Sequence, residues 1–122
     1  MKNFKQLMIW QKGMEIWKEV YLLSKELPTE EKYGIVSQIN RASFSIPANI
    51  AEGSSRDSKK DFARFLQIAL GSSFELETFL IGIKMLELTT SENDVDRILE
   101  LVDEEQKMIM SFKNKVDSTR NS

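Results

Sequence analysis

The sequence predicts an all-α protein, an antiparallel up-down four-helix bundle with its second helix kinked at Pro47. Three observations predict it. Apolar residues recur at helical spacing along almost the whole chain. Only five Gly and two Pro occur in 122 residues, too few turn formers for a strand-rich fold. Phe62, Leu66, Ala69, Ser73, Leu76, Leu80 and Ile83 follow a 4-3-4-3-4-3 rhythm, the seam of coiled-coil-like packing. Four amphipathic segments with short connections pack most simply up and down, as one domain over residues 1–122.

The first helix is predicted over about 4–25. Trp10, Met14, Trp17 and Tyr21 make one stripe, with Ile16, Val20 and Leu23 beside it. So wide an apolar face suits two neighbouring helices or a subunit partner. Pro28 closes this helix, and Thr29 is expected to cap the next, with Glu30 and Glu31 in its first turn. The second helix, about 30–53, carries Ile35, Ile39, Ala42, Ile46 and Ile50. The pattern continues through Pro47, which predicts a kink rather than a break. Gly53-Ser54-Ser55 stops it. The third helix, about 58–88, opens on Ser58 with Asp61 three residues on, close to a capping box. The fourth, about 91–117, starts from Ser91 as cap and aligns Val95, Ile98, Leu99, Val102, Ile109, Phe112 and Val116. No apolar run approaches the roughly 18 residues of a membrane span, and no signal-peptide core opens the chain, so a cytoplasmic protein with no membrane role is expected.

Two absences prune the chemistry. Without Cys there are no disulfides, thiolate metal sites or thiol nucleophiles. Without His there are no Ser-His-Asp arrangements, and the Glu-x-x-His pairs of a di-iron bundle cannot form. What remains does not titrate naturally near neutrality. No enzyme, no cofactor, no metal and no small-molecule substrate is therefore expected.

The formal charge is −2 and the pI about 5.3, against the basic balance of strong nucleic-acid binders. The charge is unevenly placed. Residues 1–18 hold four Lys and one Glu, whereas residues 85–105 hold eight acids and Arg97. Acids at helix starts and bases at helix ends account for much of this.

Three constellations stand out. In the second helix Arg41, Ser45, Asn49 and Glu52 form a polar stripe, and Ser72 and Glu75 lie on a matching line of the third. The preferred reading is a structural polar network, with an Arg41–Glu75 pair, that fixes helix register or seals a subunit interface. The alternative is a pocket around Glu52 and Glu75. Gly71-Ser72-Ser73 is expected to admit a close backbone neighbour. Arg56, Lys59, Lys60 and Arg64 gather at the start of the third helix, a phosphate-contacting patch or a solvated helix face. Asp57 and Asp61 cut its charge to +2. Lys12, with Lys2 and Lys5, lies near Trp10, Trp17 and Tyr21, and basic-plus-aromatic composition suits RNA. Helical spacing favours core or interface packing for those aromatics.

These residues also carry a family resemblance. Trp10-Gln-Lys, Tyr21 with Leu27-Pro28, Glu31-Lys-Tyr-Gly-Ile, Ser37-Gln38-Ile39, Arg41-Ala42 and Ser45-Ile-Pro-Ala-Asn-Ile-Ala-Glu-Gly53 occur in order. Arg56, Phe65-Leu66 and Ala69-x-Gly-Ser-x-x-Glu-Leu-Glu-Thr78 complete the series. The chain resembles the 23S rRNA-intervening-sequence proteins, bacterial four-helix bundles related to the accessory variability protein of diversity-generating retroelements. The resemblance implies a homo-oligomeric ring, typically a pentamer, and an RNA-associated scaffold. The alternative is a protein-partner adaptor, such as a reverse-transcriptase accessory factor without nucleic-acid binding of its own. The sequence departs from the family pattern at Asn40, where an Arg is common, and in its acidic balance against the basic retroelement branch.

Overall fold

A computed structural model of the protein describes residues 3–119; Lys2 lies outside them. It is an all-α four-helix bundle, and no strand occurs among the described residues. The helices are α1 (Met8–Ser24), α2 (Ile35–Ser54), α3 (Lys59–Met85) and α4 (Glu92–Thr119). Single 3-10 turns stand at Phe4–Gln6 and Thr29–Glu31. Each helix packs on its neighbours in sequence, α1 closes the square against α4, and the diagonal pairs make no close backbone approach. Contacts run in opposite sequence directions at every edge. Trp17 meets Phe44, Ser45 meets Ser72, and Phe62 meets Phe112 while Lys84 meets Asp96. Lys12 meets Glu104 and Glu19 meets Arg97. Neighbouring helices are therefore antiparallel.

All seven residues of the α3 seam are buried. In α1 the core stripe is Ile9, Gly13, Ile16, Val20 and Leu23, while Trp10, Met14 and Trp17 are half-buried and Tyr21 is exposed. The stripe of large side chains thus flanks the core, because the smaller stripe lets α2 and α4 approach more closely.

The helix boundaries depart from expectation at the turns. The first helix proper begins at Met8, after the Asn3 side chain has capped a separate 3-10 turn. The second begins at Ile35: Thr29–Glu31 forms an isolated 3-10 turn without a side-chain cap, and Gly34 has a non-helical backbone. Ser58 caps α3 as expected, its Oγ accepting from the Asp61 N–H at 3.0 Å. Helix α3 ends early, at Met85, in a Schellman closure: the Leu88 N–H donates to Ile83 O and the Glu87 N–H to Lys84 O, with Glu87 at φ 52. Ser91 does not cap with its side chain; its hydroxyl donates to Glu26 Oε1 at 2.7 Å. Helix α2 runs unbroken through Pro47.

Helix α3 contains an 18-residue window of mean hydropathy 1.2, long and apolar enough to cross a membrane, and 44% of that window is buried within the bundle. The rest of its apolar surface points outward.

Candidate functional site

That outward surface has its own order. Gln67, Gly71, Phe74, Thr78, Ile81 and Met85 are all exposed and follow a 4-3-4-3-4 rhythm. The row has heptad spacing on the side of α3 opposite the core seam, and Phe74, Ile81 and Met85 are its apolar members. Phe74 is 47% exposed, Ile81 45% and Met85 77%. A Cβ at Gly71 would meet nothing within 4 Å. The expected close backbone neighbour of Gly71 is therefore absent among the described residues. Gly53 is the glycine that packing demands, since a Cβ there would stand 2.7 Å from Phe65 Cβ.

The polar stripe of α2 divides into three parts. Arg41 Nη2 pairs with Glu75 Oε2 across the α2–α3 edge, and Arg41 Nε and Nη2 both donate to Gln38 Oε1. The side chains are 48% and 40% exposed, so the pair is half-buried at the edge of the bundle. Ser45 and Ser72 share a hydroxyl contact of 2.9 Å, and Asn49 Nδ2 donates to Ser45 Oγ at 2.9 Å. Glu52 stands apart, 3.4 Å from Arg56. Glu52 and Glu75 thus pair with different arginines, Arg56 and Arg41.

The basic residues fall into two places. Arg56, Lys59, Lys60 and Arg64 surround the α2–α3 turn. Both guanidinium groups stack on the Phe65 ring, at 4.8 Å for Arg56 and 4.5 Å for Arg64. Arg56 also lines an open depression of about 450 Å³ with Ser54, Ser55, Asp57, Ser58, Lys59 and Phe62. Lys59 and Lys60 are exposed and have no ion-pair partner among the described residues. Acids temper the patch, with Arg56 at 3.4 Å from Glu52 and Arg64 at 3.9 Å from Asp61. Lys12 is not part of it; it lies on the α1–α4 edge, paired to Glu104 at 3.2 Å.

One residue with chemical consequence escaped the sequence reading. Glu105 is fully buried, and neither carboxylate oxygen has a hydrogen-bond partner among the described residues. Burial pushes its carboxyl up to about 8, against a smaller opposing pull from Lys12. The signal was present: positions 95, 98, 102, 105, 109, 112 and 116 form an unbroken 3-4 alternation, and the acid fills its centre. No cluster of three acids that could hold a metal ion occurs among the described residues.

Comparison with known proteins places this geometry. The family model described as 23S rRNA-intervening sequence protein matches residues 5–111. A crystal structure of a protein of unknown function from the S23 ribosomal protein family of Bacteroides thetaiotaomicron VPI-5482 is similar, at 31% identity and a TM-score of 0.79. The match covers 87% of this chain and 98% of that one. A search of curated proteins gave no match. With the family match spanning nearly the whole bundle, the chain belongs to the 23S rRNA-intervening sequence protein family.

Proposed function

We propose that the protein is a non-enzymatic, cytoplasmic homo-oligomeric scaffold that associates with RNA. The observation that carries this is the second seam of α3. A heptad row of Phe74, Ile81 and Met85 facing water is unfavourable alone, and burying it against another helix recovers roughly 25 cal/mol per Å² of apolar surface. Another copy of the same seam is the simplest complement, and five copies in a ring is the arrangement the family resemblance implies. Repetition around such a ring multiplies the basic turn. One chain offers a patch of net +2, too weak for tight binding to phosphate, and an assembly presents several such patches to one RNA.

The acids beside Arg56 and Arg64 favour a second reading, an adaptor for a protein partner whose RNA contacts come from that partner. Fluorescence anisotropy with a labelled structured rRNA fragment separates the two. The scaffold reading expects saturable binding at near-physiological salt, weakened by Lys59→Glu and also by the double variant Phe74→Lys/Ile81→Lys, which keeps every basic residue. Absence of binding even at low salt sinks the RNA reading. Salt-tolerant capture of the product of a neighbouring gene would then support the adaptor.

A further inference from the structure

Glu105 sits where the core seam of α4 demands an apolar residue. Its Oε2 lies 3.2 Å from the point where a Cβ on Gly13 would stand, and the Pro47 ring lies 3.3 Å from the same point. The carboxyl of α4 and the proline of α2 thus face each other across a glycine of α1. Proline has no N–H, so the Ser43 carbonyl one turn earlier lacks its helical donor at this level. Ser43 is fully buried, as is Glu105. A neutral carboxyl is a donor; an ionised one is only an acceptor and would stand unpaired in hydrocarbon.

We propose that Glu105 is a proton-operated latch: it is held as the neutral acid in the closed bundle, because the ionised form would stand unpaired beside Gly13 and the Pro47 ring, and loss of the proton loosens α4 from α1 and α2. The other charged groups around it fix how the latch opens. From α1 the facing charge is Lys12, paired to Glu104 at 3.2 Å. From α3 it is Glu77, which accepts from Gln106 Nε2 at 2.9 Å. The two charges of α2, Arg41 and Glu52, are exposed and paired elsewhere. Lys12 is therefore the cation available to an ionised Glu105, and taking it breaks the Lys12–Glu104 tie between α1 and α4.

The sign of the linkage is definite. The carboxyl in the fold titrates near 8, above its ordinary value of 4.5. The stabilisation from the neutral form is complete below about 4.5 and is lost as pH rises through about 8. Denaturant unfolding of the full chain from pH 4 to 9, for wild type and Glu105→Gln, tests this. The unfolding constant of wild type relative to Glu105→Gln should climb by up to about tenfold per pH unit between the two values, then level off. Difference infrared spectra at pH 6 should show the carbonyl stretch of a neutral acid in wild type that Glu105→Gln lacks. Lys12→Met, which keeps the apolar stem of a side chain only 19% exposed, should move the upper plateau to higher pH and keeps the test alive if Glu105→Gln folds poorly. Parallel pH profiles, or a wild-type spectrum with no neutral-acid band at pH 6, would overturn the latch. An upper plateau unmoved by Lys12→Met would overturn the role of Lys12.

Discussion

Glu105 of α4 and Gly13 of α1 are matched in size: the carboxylate oxygen occupies the space beside a glycine whose missing Cβ would stand 3.2 Å away. Any branched side chain at position 13 must displace the buried acid or the Pro47 ring, and a proline ring inside a helix has little freedom to turn aside. Gly13→Val is expected to destabilise the bundle by about 2–3 kcal/mol, overpacking outweighing its better helix propensity than glycine. Urea denaturation measures it, and an unchanged midpoint would show that the core is looser here than the distances say.

Gly53 answers a different constraint. A Cβ there would lie 2.7 Å from Phe65 Cβ and 2.9 Å from Phe62 Cδ1. A Cβ is fixed to its backbone, so α2 and α3 must separate at the turn that carries the stacked arginines. Gly53→Ala is expected to cost ~1–3 kcal/mol, although alanine is the better helix former. Thermal denaturation followed by circular dichroism reads this directly.

Glu87 closes α3 with φ 52, a left-handed conformation that glycine adopts without strain. Its side chain is exposed and makes no ion pair among the described residues. Glu87→Gly should therefore stabilise the protein by about 0.5–1 kcal/mol, despite the greater entropy of glycine in the unfolded chain. A lowered melting temperature would contradict this.

The Arg41–Glu75 pair discriminates between a lone bundle and an assembly. At 48% and 40% exposure it should contribute no more than about 1 kcal/mol, so Glu75→Gln leaves the stability of an isolated chain nearly unchanged. If assembly buries the pair, the same substitution leaves a desolvated guanidinium and costs roughly 3–5 kcal/mol. Measuring stability across a range of protein concentrations tells the two apart.

How much of this was legible in the sequence depended on whether the signal was periodic. The α3 core seam, the Ser58 cap and the Arg41–Glu75 pairing follow from spacing alone, since helical geometry fixes which side chains share a face. The turns did not follow. Thr29-Glu30-Glu31 has the composition of a helix start, yet Gly34 interrupts the backbone before α2 begins. Glu87 gives no hint of a left-handed closure, because glycine usually marks one. The large aromatics of α1 drew attention away from Gly13, whose burial depends on Pro47 and Glu105 from two other helices. At Glu105 charge and spacing disagree, since the 3-4 alternation assigns a core position that a carboxylate argues against. The outer seam of α3 hid within the helix's general apolarity and separates from the core seam only once the buried side is known.

The proposed assembly gives α3 one seam for its own core and another for a second copy. Light scattering coupled to size exclusion gives the mass of the native protein without assuming its shape. The account predicts a discrete multiple of the 14.1 kDa chain at micromolar concentration, reduced to one chain by Phe74→Lys/Ile81→Lys with helicity retained. A wild-type protein that elutes as a single 14.1 kDa chain across that range would contradict it.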